Sequence, residues 1–266
     1  MIIKNNAFTL AEVLITLAII GIVAAMTLIS LHNKTNSKEL HVAFLKTYSE
    51  LNQIAQMFYA ENGISFPEWG SSQAHSAAMI KLMSYYKGVV SLTSTGMGTK
   101  NDDGDYVAYY DMHLLNGESF SGGANSQGKN SSFICDNSGF KSNISGALFL
   151  MNDVPSQGDN GPVLCVDVNG RKGPNRYGLD YFLFIFTVDG YVIPMGQSHD
   201  NNTANHSVSD SGGATNFSRT GSEYCDNTSS SIAYNTTCAY YALKNIHPTE
   251  NGKDYWNDFI GEVYRR

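Results

Sequence analysis

One carboxylate stands inside the longest apolar stretch of this 266-residue chain. The stretch runs from residue 8 to residue 31 as FTLAEVLITLAIIGIVAAMTLISL, and Glu12 is its only ionisable side chain. A carboxylate in apolar surroundings is costly to bury, and it usually has a partner of opposite charge. A cut after Ala7 would create such a partner, because Phe8 would then carry a free amine about one helical turn from Glu12. The spacing therefore points to an ion pair between the Glu12 carboxylate and a new terminal amine.

The same stretch has the length of a membrane-spanning helix. As a helix it reaches roughly 30 Å, which is the thickness of a bilayer's hydrocarbon core. A secretory signal has its small-residue cleavage site after the apolar run. Here the only such site, Ala7, precedes the run, behind a short leader that carries Lys4. We therefore expect the apolar helix to be retained in the mature chain.

The segment AFTLAEVL at residues 7–14, followed by the long apolar helix, resembles the prepilin motif of type IV pilins and type II secretion pseudopilins. The resemblance covers about residues 4–31. It implies that a prepilin peptidase cuts between Ala7 and Phe8 and methylates the new amine. Most members have Gly where Ala7 stands, and many have Pro where Ile29 stands. An ordinary signal-anchor helix with an incidental carboxylate is the alternative.

The resemblance implies a structural subunit of a type IV pilus or a type II secretion pseudopilus, and not an enzyme. It implies as partners the prepilin peptidase, other pilin or pseudopilin subunits, an inner-membrane assembly platform and membrane lipid. The helix would first anchor the subunit in the bacterial cytoplasmic membrane by a single pass, with the head exported. The subunit would then join a periplasmic pseudopilus or an extracellular pilus.

Four cysteines are candidates for disulfides: Cys135, Cys165, Cys225 and Cys238. None belongs to a CxxC pair, which argues against a zinc knuckle. A head exported across a membrane meets an oxidising compartment, where disulfides form. Four cysteines allow three pairings, and we favour the one between sequence neighbours, Cys135–Cys165 and Cys225–Cys238. Buried free thiols are the alternative.

A polar segment with four oxygen-bearing side chains is a candidate calcium site: Asp167, Asn169, Asn175 and Asp180. Its opening D-x-N supplies the hard oxygen ligands that calcium prefers. However, Arg171 stands where an EF-hand needs an oxygen ligand, and the closing Glu is missing. The Asn-Gly and Pro-Asn pairs also fit a plain turn between strands. Several pseudopilins carry calcium near the end of their sheet, so both interpretations stay open.

Composition argues against nucleic acid as a partner and against catalysis. The net charge is −7, and the 17 Lys and Arg residues form no basic cluster along the chain. The seven histidines are scattered without the HExxH spacing of a metalloprotease, and each is predicted to lie on the surface or in a loop. The chain also lacks a GxSxG elbow and a phosphate-binding glycine loop. We expect no enzyme activity and no cofactor other than the calcium considered above.

The periodicity predicts an α+β fold, in which a long N-terminal membrane-spanning helix packs on an antiparallel β-sheet head. Leu40, Phe44, Leu51 and Phe58 recur at helical spacing and extend the helix to residue 59, where Asn62-Gly63 ends it. Residues 66–70 read as a loop and residues 72–86 as a second helix. Strands are predicted at 107–112, 132–135, 146–151, 162–168, 181–188 and 191–195. The chain then divides into a leader at 1–7, a filament-core helix at 8–31 and a globular head at 32–266.

A long tract rich in Ser, Asn, Gly and Thr extends from Gly196 to Thr237. It shows little hydrophobic pattern, which is typical of a functional surface loop or of disorder. It suggests an alternative role, a minor or tip pilin that binds a surface or an exported protein through residues 196–237.

Overall fold

The computed structural model of the protein describes residues 10–92, 98–100, 106–108, 112–119, 135, 141–152, 158–199, 208–210, 213–215 and 221–265. Side chains are described over this range except at 26–34, 75, 98–100, 106–108, 208–210, 213–215 and 265. The predictions for the leader, for Ala7 and Phe8 and for strand residues 109–111 and 132–134 lie outside it.

The N-terminal helix, α1, is continuous over the 53 residues Leu10–Asn62 and is about 80 Å long. It ends at Gly63, whose positive φ of 72° reverses the chain at no steric cost. The prediction of one long helix ended by Asn62-Gly63 is confirmed. Among the described residues, no helix contains a run that is both long and apolar enough to cross a membrane.

The head is built on strands that carry these labels and bounds: β1 Val90–Ser91, β2 Gly98–Lys100, β3 Tyr106–Ala108, β4 Lys141–Ser142, β5 Leu148–Met151, β6 Val163–Asp167, β7 Tyr181–Phe186, β8 Val192–Pro194, β9 Val208–Asp210 and β10 Gly213–Thr215. Six of them form one antiparallel sheet in the order β1-β4-β5-β6-β7-β8. The pairs β2–β3 and β9–β10 are separate hairpins. The predicted α+β class and the antiparallel meander from β5 to β8 are therefore confirmed.

Both faces of the sheet are covered, which explains the unbroken apolar sequence YFLFIF of β7. One face packs on the second half of α1 and on the C-terminal helices. The opposite face packs on Met112 and Leu114, on the Cys135–Cys165 disulfide and on Tyr177 and Ile232. The strands β5 to β8 are thus buried, whereas the edge strand β1 is exposed.

The contact between α1 and the sheet is centred on Phe44, which is fully buried. Its ring centroid lies 4.6 Å from that of Phe182, 5.6 Å from that of Phe184 and 5.8 Å from that of Trp256. Edge-to-face ring pairs of this kind add to the free energy gained by burial. Phe44 therefore joins α1, the sheet and the C-terminal segment in one core.

We predict that Phe44→Ala lowers the free energy of unfolding by about 3–5 kcal/mol, because the cavity it leaves cannot collapse. The measurement is chemical denaturation of the full chain in detergent. Leu45→Ala is the matched control, because Leu45 is 40% exposed on the same helix. A cost for Phe44→Ala no larger than that for Leu45→Ala would contradict the described packing.

Four further helices complete the described fold: α2 Phe66–Gly70, α3 His75–Met83, α4 Cys238–Lys244 and α5 Ile260–Arg265. The turn before α5, Tyr255–Phe259, is π-helical. The prediction of a loop at 66–70 is wrong, because the Ser65 side chain accepts a hydrogen bond from the Glu68 N–H and caps α2. The 196–237 tract is also not a plain loop, since it contains β9, β10 and two 3₁₀ turns at Ser222–Tyr224 and Ile232–Asn235.

Candidate functional site

The first turn of α1 carries Glu12, and its side chain is exposed. The apolar side chains around it are exposed as well: Leu10 by 77%, Leu14 by 58%, Ile15 by 60% and Leu17 by 60%. This exposure continues through Val23. Exposed apolar surface of this extent marks a region that is covered by another molecule. Because Ala7 and Phe8 lie outside the described residues, the pairing of Glu12 with a Phe8 amine stays a prediction.

Two disulfides tie the long connections to the sheet and to each other. Cys135 is joined to Cys165 in the centre of β6, and Cys225 is joined to Cys238 at the start of α4. This is the pairing of sequence neighbours. The second bridge spans 13 positions in sequence, and closing a loop of that size stabilises the fold by about 3 kcal/mol. The end of the 196–237 tract is therefore anchored.

Two fully buried aspartates lie at one end of the sheet, at neighbouring strands. Asp167 is the last residue of β6, where it pairs with Tyr181 of β7, and Asp180 directly precedes β7. Both residues are 0% exposed. The Val168 N–H donates a hydrogen bond to the Asp180 backbone oxygen, which holds the two strands together at this point. The connection between these strands, residues 168–180, contains Asn169 and Asn175.

Hydrogen bonds fold this connection back onto the Asp180 carboxyl. The Asn175 N–H donates to Asp180 Oδ2 at 2.8 Å, and the Arg176 N–H donates to Asp180 Oδ1 at 2.6 Å. The Asn169 N–H donates to Asp167 Oδ1 at 3.2 Å. The Asn169 Nδ2 donates to the Gly173 oxygen at 2.9 Å. The predicted turn chemistry is therefore present, and backbone hydrogen bonds link Asn169 to Asp167 and Asn175 to Asp180.

The turn leaves two side-chain oxygens in the connection without donors. Asn169 Oδ1 and Asn175 Oδ1 are buried and accept no hydrogen bond. An unsatisfied buried acceptor costs about 1–3 kcal/mol. Calcium takes Asp and Asn side-chain oxygens together with backbone carbonyls and water. Asp167, Asn169, Asn175 and Asp180 therefore offer oxygen atoms of the types that calcium takes.

Burial raises the pKa of the Asp180 carboxyl from 3.8 to about 6, although the two backbone N–H groups act in the opposite direction. In the folded chain without metal, this carboxyl is protonated below about pH 6, whereas in the unfolded chain it ionises near pH 3.8. Its contribution to stability is therefore fully present below pH 3.8 and is lost as the pH rises through about 6.

We predict that the metal-free protein loses on the order of 3 kcal/mol of unfolding free energy from this group between about pH 4 and pH 6. Denaturation in a chelator at several pH values measures the effect. Asp180→Asn should remove this fall in unfolding free energy between about pH 4 and pH 6. Asp189→Asn, which changes an exposed residue, should retain it. An unchanged profile in Asp180→Asn would contradict the assignment.

A second cluster of ionisable side chains lies near the C-terminal helix and was not predicted. His247 lies in the loop after α4, which agrees with the prediction of a surface or loop position, but it is buried there. Its Nε2 lies 3.5 Å from Glu262 Oε1 and 3.8 Å from Glu250 Oε1. Lys253 Nζ lies 2.7 Å from Glu250 Oε2. The possible ligand atoms of His247, Glu250 and Glu262 lie within 4.8 Å of one another, which is close enough for a metal ion.

The hydrogen bonds of His247 argue against a metal at this cluster. Its Nδ1 accepts hydrogen bonds from the N–H groups of Thr249 and Glu250, at 3.2 and 3.0 Å. The proton of the neutral ring is then on Nε2, the nitrogen that faces the carboxylates. That nitrogen has no lone pair to offer a metal, and Lys253 already supplies positive charge to Glu250. The cluster is therefore best described as an ion network that fixes the 247–253 turn to α5.

The described residues define a class of protein: an α+β head carried on a long helix whose first residues, 10–25, are mostly apolar and exposed. Residues 3–28 match the family model described as the prokaryotic N-terminal methylation motif. The chain thus carries the prepilin-type cleavage and methylation motif of type IV pilins and pseudopilins. No curated protein and no solved structure matches the chain.

Proposed function

We propose that the protein is a structural subunit of a type IV pilus or a type II secretion pseudopilus. The observation that carries the proposal is the continuity of the methylation motif at residues 3–28 with a helix that runs unbroken into the head. Because α1 is continuous, the packing of its apolar half in a filament would also fix the position of the head. The motif points to a structural protein and not to an enzyme.

In this proposal a prepilin peptidase removes residues 1–7 and methylates the amine of Phe8. Residues 8–31 then hold the subunit in the cytoplasmic membrane by contact with lipid, with the head exported. The inner-membrane assembly platform transfers this helix from lipid into the filament core. The apolar side chains leave lipid and enter an apolar filament core, so the transfer costs little free energy. In the core, Glu12 pairs with the Phe8 amine of its own or of a neighbouring subunit.

Intact mass and N-terminal sequencing of the protein from its native membrane test the proposal. We expect a mature chain that begins at methylated Phe8. A chain that still begins at Met1 would overturn the processing step and leave a signal-anchored surface protein. Deletion of the prepilin peptidase in the same strain is the control, and it should restore the uncut mass.

We further propose that calcium binds at the end of the sheet between β6 and β7. The unsatisfied oxygens of Asn169 and Asn175 and the buried carboxyls of Asp167 and Asp180 support this. The ion would supply the positive charge that the two carboxyls need in order to ionise in a dry site. It would thereby fix the 168–180 connection to the sheet.

A second candidate role is that of a minor or tip pilin that binds a surface or an exported protein through residues 196–237. Two features favour this role. The β9–β10 hairpin is a structured element within the tract that could contact a partner, and the Cys225–Cys238 disulfide fixes the end of the tract to the head. Deletion of residues 200–220 separates the two roles. Normal filaments with lost adhesion or secretion would support the binding role, and unchanged adhesion and secretion would remove it.

A further inference from the structure

One flank of α1 carries an uncharged aromatic surface, which we call the tyrosine flank (Tyr48, Asn52, Gln53, Met57 and Tyr191). Tyr191 is 55% exposed and Met57 is 49% exposed. Tyr191 is held against the helix by its hairpin, because Gln56 Nε2 donates to the Gly190 oxygen at 2.7 Å. The Val192 N–H donates to Asn52 Oδ1 at 3.0 Å. The tyrosine flank is therefore a preformed surface.

A concave surface lies along another side of the same helix, and we call it the apolar groove (Val42, Ala43, Ala147 and Val168). Its volume is about 500 Å³, which is ample for an aromatic side chain. One wall is α1, and the other wall comes from the turn before β5 and from Val168 after β6. Val42 is 67% exposed at its edge.

The two surfaces belong to one rigid helix, on which they are separated along the axis and turned around it. The tyrosine flank uses α1 residues between 48 and 57, and the apolar groove uses α1 residues between 38 and 50. At 3.6 residues per turn, the centres of the two sets are roughly 85° apart around the axis. One copy of the chain cannot bring its own two surfaces together, but two neighbouring copies can.

The charges also fit a contact between copies. The chain has a net charge of −7, so most approaches of two copies bring like charges together. The tyrosine flank has no charged side chain. The rim of the apolar groove carries two lysines and two glutamates: Lys38, Lys46, Glu39 and Glu50. The charges on the rim of the apolar groove sum to zero, and the tyrosine flank is uncharged. Docking one on the other therefore avoids the repulsion between like charges that would otherwise oppose assembly.

We propose that the tyrosine flank of one copy docks in the apolar groove of the next copy, with Tyr191 entering the groove. The inference rests on the proposed function, because it describes how heads pack when the helices are held side by side. Each copy uses both surfaces once, so the contact is head-to-tail. A head-to-tail contact whose rotation does not close on itself generates an open filament.

The contact has a definite offset along the filament axis. The tyrosine flank is centred near residue 52 of α1 and the apolar groove near residue 44. Eight to nine helical residues correspond to about 13 Å. Two touching copies with parallel helices are therefore displaced by about 13 Å along the axis.

The test is disulfide crosslinking of filaments made by the full chain in its native cells. The four native cysteines are paired in disulfides, so introduced cysteines are the only free thiols. In the double variant Val42→Cys with Tyr191→Cys, mild oxidation should give a ladder of covalent oligomers beyond the dimer. Each single variant should give no ladder. The control pair Val90→Cys with Tyr191→Cys uses the exposed Val90 of β1 and should give none either.

Tyr191→Asp provides a second measurement that does not depend on thiols. We expect at least a tenfold loss of filaments with an unchanged melting temperature, whereas Tyr234→Asp, at another exposed tyrosine, should keep the wild-type yield. Filaments of normal yield without a ladder, or with dimers only, would overturn the contact and leave the proposed function intact. A wild-type chain that is never cut and never forms filaments would overturn both.

Discussion

Replacing Glu12 by valine is expected to reduce filament yield to less than a tenth of the wild-type level while leaving membrane insertion intact. In an apolar filament core the Phe8 amine would then have no carboxylate to pair with. Removing one partner of a buried ion pair costs about 3–5 kcal/mol, because the remaining charge stays uncompensated. Insertion should not suffer, since valine is less costly in lipid than a carboxylate. Electron microscopy of sheared filaments and fractionation of membranes measure the two effects separately.

Glu68→Val is the matched control for this substitution. Glu68 lies in α2 on the exposed surface of the head, so the same chemical change is made away from the helix core. It should leave both filament yield and insertion unchanged. A wild-type yield from Glu12→Val would remove the proposed role of Glu12 in assembly, and a loss of membrane-bound protein would point to insertion instead.

Removal of calcium is expected to lower the melting temperature of the purified protein by about 5–10 °C at neutral pH. An ion present at a hundred times its dissociation constant stabilises the folded state by about 2.7 kcal/mol. Each kcal/mol shifts the melting temperature of a domain of this size by about 2–4 °C. Thermal unfolding in calcium and in a chelator, with magnesium held constant, measures the difference.

Asp180→Asn should abolish the difference between calcium and chelator, because it removes one of the two buried carboxyls. Asp189→Asn, which changes an exposed aspartate in the next turn, should retain it. Equal melting temperatures of the wild type in calcium and in chelator would leave residues 168–180 as a structural turn. Asn169 and Asn175 would then need another partner for their buried oxygens.

Local patterns were sufficient to predict the main elements of the head. The spacing of Leu40, Phe44 and Phe58 predicts the buried side of α1, and all three are at most 5% exposed. The predicted strands at 181–188 and 191–195 leave only Asp189 and Gly190 between them, and the structure pairs β7 and β8 as the antiparallel hairpin that this spacing implies. These signals work because helix periodicity and hairpin turns depend on residues that are close in sequence.

The prediction of a loop at residues 66–70 missed a capping signal. Ser65 and Pro67 are of the residue types that start a helix. The burial of Phe66 against Phe58 and Phe186 keeps this turn helical. Such a contact joins residues that are far apart in the chain, so the local sequence does not contain it.

The candidate sites also differ in whether they depend on residues close in sequence or on contacts between distant parts of the chain. Asp167 and Asp180 flank one connection, so their proximity followed from the predicted strands. The His247 cluster did not, because Glu262 reaches it only through the packing of α5. Likewise, Tyr191 lies beside Asn52 because a hairpin contacts a helix more than a hundred residues earlier in the chain. Sites made by a single connection are predictable from sequence, and sites made by packing are not.

Trp256 has a consequence for when the head can fold. Its backbone oxygen accepts a hydrogen bond from Ser37, 219 positions earlier, and its ring completes the cluster around Phe44. Contacts of such sequence separation form late, after the intervening chain is available. Until Trp256 is in place, the aromatic side of α1 around Phe44 is exposed to solvent, where it can bind chaperones or aggregate. A chain that ends before Trp256 is therefore expected to lack the contact that closes the core of the head.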